Sequence, residues 1–201
     1  MKRSLLFPAL LLLAAVVIPN TISFAGPQSP EAVAPVSVFF VRHAETAAST
    51  RTNRNPELSE IGVNRGQALA ALLKESGATH LFASEYQRTQ STLAALAKQT
   101  GLTVKVVEAG KMSEQIEKLR SLPAGSVAVV CGHSNTVPAM VKASGGSIAD
   151  LKALPAAEQV LAHESYNRLF LVVLPAADGI KTKSFEFRYG KAIAAAAAAE
   201  H

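Results

Sequence analysis

The chain has 201 residues, enough for one domain of ordinary size with a substantial core. Its 20 basic and 15 acidic residues leave a net charge of +5, too mild and too dispersed to argue for a nucleic-acid partner, because no Lys/Arg run exceeds two. Cys131 is the single cysteine, so an intramolecular disulfide is excluded, and its place in a Val-rich run points to burial as a small hydrophobe.

The chain begins with Lys2 and Arg3, continues with an apolar run from Leu5 to Ile18, and reaches Ser23-Phe24-Ala25 with small residues at the first and third positions. This order is that of a secretory signal peptide, residues 1–25, cut after Ala25. A fourteen-residue run interrupted by Pro8 falls short of the roughly 20 apolar residues that span a bilayer. The expected mature chain, Gly26 to His201, has 176 residues and a net charge of +3, and no cysteine follows the apolar run to carry a lipid. A periplasmic or secreted location follows, with no stable membrane anchor after cleavage.

Residues 26–35 (GPQSPEAVAP) read as a Pro-rich linker. Ser37–Val41 is a predicted strand. Ser59 can cap a helix running to about Ser76, with Ile61, Ala68, Leu69, Leu72 and Leu73 on one face and Gly77 ending it. His80–Ala83 is a short strand, Tyr86–Thr100 a helix closed by Gly101, Thr103–Val107 a strand and Ser113–Ser121 a helix. Ser126–Cys131 is another strand, and Thr136–Ser144 a helix with Pro138 in its first turn. Arg168–Leu174 and Ile180–Tyr189 look like two strands joined by the turn AADG. This alternation predicts an α/β domain over residues 36–190, three α/β/α layers around a mostly parallel central sheet. Residues 191–201 are a low-complexity tail to which no function is assigned.

Ligands of open parallel sheets bind beyond the carboxyl ends of the strands. Three segments arrive at that edge: the first strand ends in Arg42-His43, the strand SVAVVC ends in Gly132-His133-Ser134-Asn135, and HLFA runs into SEYQRT with Arg88 in the first turn of a helix. Taken singly, each residue has an ordinary reading, a hydrogen-bonded histidine or a solvated arginine. Together, two histidines and two arginines point to a phosphoryl site, since Arg pairs bidentately with phosphate oxygens and a helix N-terminus adds positive potential. The chemistry expected is attack of a neutral imidazole nitrogen on phosphorus, then transfer to water, with the charge on the transferring oxygens held by Arg42, Arg88 and the second histidine. No metal or other cofactor is called for, as no HxH, HxxxH or paired-carboxylate pattern occurs; Cys131 and His133 alone are too few ligands for a metal site.

At these residues the sequence resembles the histidine phosphatase superfamily, the phosphoglycerate-mutase-like phosphatases. The family's Arg-His-Gly signature appears as Arg42-His43-Ala44. NPELSEIGVNRGQALAALL, Asn55 to Leu73, is similar to its loop and first helix. SEYQRTQST resembles the segment carrying the second phosphate-binding arginine, and CGHSNTV the segment carrying the second histidine. The resemblance covers about Val36 to Val141 and weakens after Gly146. It implies a phosphoglycerate-mutase-like fold, His43 as the phosphorylated nucleophile, Arg42, Arg88 and His133 as the phosphate pocket, and Asn135 as a further polar pocket residue. For the proton donor it offers Glu108, after the strand TVKVV, with Glu45 as competitor. The short spacing between Arg88 and His133 implies an open site like that of the short phosphohistidine phosphatases. The departure at Ala44 leaves less backbone freedom than the usual glycine.

The leading expectation is an exported, metal-independent phosphatase acting on a small phosphorylated substrate, phosphohistidine or a phosphoprotein through His43. A phosphate-ester-binding module without turnover and a phosphomutase stand as alternatives.

Overall fold

The computed structural model describes residues 33–155, 158–175 and 180–191. The predicted signal peptide, most of the linker, the AADG turn and all of the tail but Lys191 lie outside the described residues. From Val33 onward the chain is a single compact unit.

Its strands and helices run in the order β1 (Val36–Arg42), α1 (Glu60–Leu73), β2 (His80–Ala83), α2 (Gln87–Thr100), β3 (Val104–Val106), α3 (Met112–Arg120), β4 (Val127–Gly132), α4 (Thr136–Ala143), β5 (Leu151–Ala153), β6 (Gln159–Leu161), β7 (Arg168–Leu174) and β8 (Lys183–Arg188). Six strands form one sheet in the order β3-β2-β4-β1-β7-β8. The first four are parallel, and β7 and β8 extend the sheet antiparallel. Successive residues of β1 point to opposite faces, as a pleated strand requires. Val38 and Phe40 enter a core with Ile116 of α3 and Val137 and Val141 of α4. Val41 enters a second core with Leu69 and Leu73 of α1 and Leu93 and Leu96 of α2. The result is the expected three-layer α/β/α arrangement. Both faces of the central strands are covered, which is why β1 and β4 read as nearly unbroken apolar runs.

Local chemistry places most of the boundaries within a residue or two of expectation. Ser59 caps α1, its Oγ accepting from Gly62 N at 3.2 Å, and Gly101 closes α2 in the left-handed conformation with φ of 70°.

The buried face of α1 differs from the one its apolar residues suggest. Ile61 and Leu72 are 61% and 50% exposed, and the buried positions are Gly62, Arg65, Gly66, Leu69, Ala70 and Leu73. The helix meets its neighbours backbone to backbone. A Cβ on Gly62 would lie 2.0 Å from the carbonyl oxygen of Glu45, and one on Gly66 would lie 3.2 Å from that of Thr92 in α2. Arg65, on the same face, is buried because it pairs with Glu45. Close approach through glycine and a buried ion pair therefore overrode the hydrophobic stripe.

The second departure lies between α4 and β7, where the sequence suggested no element. There β5 and β6 form a separate antiparallel hairpin. Three-residue strands lack the periodicity that would announce them.

The contact at Gly62 yields a prediction. Gly62→Ala should lower the unfolding free energy by about 1–3 kcal/mol, because the methyl must push α1 off the loop that follows β1. A urea midpoint equal to that of the wild type would show that the helix shifts without cost.

Candidate active site

The register of the parallel strands brings the two histidines together. Arg42 pairs with Gly132 across β1 and β4, and Ala83 pairs with Cys131 across β2 and β4. The residues that follow, His43, His133 and Ser84, therefore leave the sheet at one edge. The backbone N–H of His43 donates to Gly132 O at 2.8 Å, continuing the ladder one residue beyond the strand. The two imidazole rings stand 5.4 Å apart, centroid to centroid.

The hydrogen bonds determine the form of each histidine. His43 Nδ1 lies 2.8 Å from the carbonyl oxygen of Ala44, which can only accept, so the ring carries its proton on Nδ1. Nε2 is left with a free lone pair. Arg88 Nη2 lies 3.5 Å from His133 Nδ1, and a guanidinium can only donate. His133 therefore carries its proton on Nε2, which donates to Ser84 Oγ at 2.9 Å. Ser84 continues the relay to Thr89 Oγ1 at 2.9 Å, and Thr89 donates to Tyr86 O at 2.7 Å.

Both rings are held neutral. Burial lowers the pKa of His43 to about 3, with Arg42, His133 and Arg88 adding to the effect against the hydrogen bond to Ala44 O. Burial, followed by the charge of Arg88, lowers His133 to about 4.

Arg42 is buried and clamped. Its Nη1 donates to the carbonyls of Ala162 and His163, each at 2.9 Å, and its guanidinium stacks 4.0 Å from the ring centroid of Tyr166. Arg88 lies over the ring of Tyr86 at 4.3 Å. Ala44 is fully buried at negative φ, so its methyl fits without strain, and its N–H donates to Thr92 Oγ1 at 2.9 Å. Asn135 is the N-cap of α4, its Oδ1 accepting from Thr136 N at 3.0 Å.

An open cleft of about 610 Å³ is lined by His43, Arg88, His133 and Asn135, with Tyr86, Leu154, Glu158 and Val160 among its walls. The structure thus gathers four of the six expected site residues along one cleft and keeps Arg42 buried, its charge acting on His43. Glu108 stands apart. It lines a small neighbouring cavity, and its exposed carboxylate accepts from Lys111 Nζ at 3.3 Å. Glu45 is drawn away entirely, its two oxygens accepting from Arg65 Nε at 2.9 and 2.7 Å. Arg65 also donates to Lys191 O at 3.0 Å and thereby ties the end of the sheet to the loop after His43. Cys131 is buried, which pushes its thiol pKa up and leaves it inert. Among the described residues no three His, Cys, Asp or Glu side chains are placed to hold a metal ion.

Tyr86, Tyr166 and the clamping carbonyls of Ala162 and His163 escaped the sequence reading. The tyrosines carry no local pattern, and a carbonyl leaves no mark in a side-chain motif.

Paired histidines and two arginines at the carboxyl edge of an α/β sheet suit an anionic group. The family model of the histidine phosphatase superfamily (branch 1) matches residues 38–111. Proteins of Yersinia pestis and Yersinia pseudotuberculosis named probable phosphoglycerate mutase GpmB are 33% identical over 73 residues, 34% of this chain. The match spans about a third of those relatives' own length. Among solved structures, the protein histidine phosphatase SixA complexed with tungstate is 16% identical, with a TM-score of 0.57 over 76% of this chain and 96% of that one. A mycobacterial glucosyl-3-phosphoglycerate phosphatase complexed with VO3 is 15% identical, with a TM-score of 0.56 over 77% of this chain and 99% of that one. Residues 38–111 thus match the histidine phosphatase superfamily model, and the chain shares the fold of these solved structures.

The neutral histidines make stability depend on pH. In the unfolded chain both return to about 6.5. Their folded values of about 3 and about 4 lie below that, so the unfolded state binds more protons between the two limits. Stability is therefore full above about pH 6.5 and falls on acidification towards pH 3. The urea midpoint should drop between pH 7 and pH 5, and His133→Asn should flatten that slope. An unchanged slope in the variant would show that His133 is not held neutral by the fold.

Proposed function

We propose that this chain is an exported, metal-independent phosphatase that hydrolyses phosphomonoesters or phosphohistidine through a covalent phosphohistidine on His43. The observation that carries the reading is the hydrogen bond from His43 Nδ1–H to Ala44 O, which leaves Nε2 unprotonated within the cleft shared by Arg88 and His133.

In this mechanism the Nε2 lone pair attacks phosphorus as the bond to the leaving oxygen breaks. Arg88 and Arg42 face the negative charge of the transferring group, and Arg42 keeps Nη2 for this because Nη1 is engaged by two carbonyls. His133, neutral and fixed by Ser84, accepts from Arg88 through Nδ1 and so helps to set that guanidinium in the cleft, and Asn135 adds a polar wall. Water then takes the phosphoryl group from Nε2. The low pKa of His43 keeps it nucleophilic throughout the physiological range. The open cleft suits a small phosphorylated substrate, a phosphorylated envelope sugar, or a phosphorylated side chain presented by a protein. Export rests on the order of Lys2-Arg3, the apolar run and Ser23-Phe24-Ala25.

The first test is release of phosphate from 4-nitrophenyl phosphate with EDTA present throughout. Wild type should turn over and form an acid-labile, base-stable phosphoryl adduct on His43, whereas His43→Ala should give neither. Equal turnover in the variant would remove the mechanism. Binding of phosphate esters with no release from a broad panel would favour a binding module, and isomerised ester in place of free phosphate would favour a mutase. For export, protein recovered from outside the cytoplasm should begin at Gly26; retention of Met1 in that fraction would contradict cleavage.

A further inference from the structure

A phosphoester whose leaving group is an alcohol departs slowly as the alkoxide, so the first step needs a proton donor, and the residues around His43 cannot supply it. His133 is neutral, and its one N–H is committed to Ser84. The arginines hold their protons. Glu45 is bound to Arg65, Glu85 accepts from Ala109 N at 2.8 Å and does not line the cleft, and the carboxylate of Glu108 pairs with Lys111. Tyr86 lines the cleft, but its ring is stacked on Arg88 and a phenol is a far weaker acid than a carboxyl. One carboxyl remains among the described residues that line the cleft, that of Glu158.

Glu158 belongs to the hairpin that the sequence did not announce. Its own carbonyl accepts from Leu154 N at 2.8 Å, closing the hairpin next to β5 and β6. Three residues further on, Leu161 N donates to Ser134 O at 2.8 Å, which fastens the hairpin to the segment that carries His133 and Asn135. Leu154 and Val160 flank Glu158 on the cleft wall and give it an apolar border. Glu158 is thus carried by an element fastened to the segment of His133 and borders the same cleft as His43. No ion pair to Glu158 is formed among the described residues.

We infer that Glu158 is the proton donor to the leaving oxygen and, in the second step, the base that activates water. This rests on the phosphatase reading above. In the first step the His43 Nε2 lone pair forms the N–P bond while the P–O bond breaks. Its electron pair stays on oxygen, which takes the proton of the Glu158 carboxyl and departs as a neutral alcohol. In the second step the Glu158 carboxylate takes a proton from water as the water oxygen bonds to phosphorus. The N–P electron pair returns to Nε2, inorganic phosphate leaves, and the carboxyl is restored.

The test compares Glu158→Gln with wild type on two substrates, an alkyl phosphate and 4-nitrophenyl phosphate, whose nitrophenolate leaves without protonation. The value of kcat/KM, which reports the first step, should fall about 100-fold for the alkyl phosphate. For 4-nitrophenyl phosphate it should stay within about threefold, as proton transfer to that leaving group contributes little. Glu108→Gln, measured in parallel, should show no such split. Equal losses on both substrates, no loss on either, or the split appearing in Glu108→Gln would each overturn the assignment. Failure of the underlying reading is separate: it would appear as wild-type turnover that survives His43→Ala or as no wild-type turnover at all.

Discussion

The parallel pairing of β1 with β4 is the constraint on which the site depends. With Arg42 opposite Gly132, both strands end at the same height and their next residues, His43 and His133, leave the sheet side by side. A slip of one residue would exchange the faces of a whole strand, sending Val38 and Phe40 out of one core and Val41 out of the other. Because both faces are buried, the register is tightly specified, and the separation of the two imidazoles inherits that precision. Parallel strands need no side-chain recognition to achieve this. The cost of burying their edges is met by β2 and β3 on one side and β7 and β8 on the other.

Around this platform, charge is arranged so that cations surround neutral rings. The backbone after His43 is fixed by its hydrogen bonds to Gly132 O and Thr92 Oγ1, and by the Glu45–Arg65 pair just beyond. A buried pair of this kind gives little net stability, yet loss of either partner leaves an uncompensated charge. Its consequence here is positional: the carboxylate nearest His43 in sequence is kept from the cleft, and α1 is drawn against the loop that carries Ala44. Arg42 is treated similarly, with backbone carbonyls and Tyr166 setting its guanidinium plane before any anion arrives. Preorganised positive groups beside a desolvated neutral imidazole favour the charge distribution of phosphoryl transfer.

The cleft has a polar floor and a mixed wall. Its floor comes from the carboxyl ends of the parallel strands, and its outer wall includes Leu154, Glu158 and Val160 of the β5–β6 hairpin. The structures to which the chain is similar share its fold at 15–16% identity. At that level what is held in common is the fold. The hairpin contributes separately, since β5 and β6 pair only with each other.

Much of this was legible in the amino-acid order. Apolar runs rich in Val announced β1 and β4, because strands covered on both faces have no polar side to interrupt them. Their abrupt ends at Arg42-His43 and Gly132-His133, and Arg88 in the first turn of a helix, marked the edge of the sheet where the cleft lies, since a strand end is a local event that a local pattern can show. What depended on distant parts of the chain was not legible. The inward face of α1 was decided by backbone contact at Gly62 and by the partnership of Arg65 with Glu45, twenty positions away. Tyr166 came to Arg42 through the antiparallel return of β7, and Glu158 reached the cleft on strands too short to leave a period. The sequence by itself determined which residues could carry phosphoryl chemistry and on which edge of the sheet they would stand. Only the tertiary structure decided which nitrogen of each histidine is free and which carboxyl borders the cleft, because both follow from hydrogen bonds and packing between segments that the sequence holds far apart.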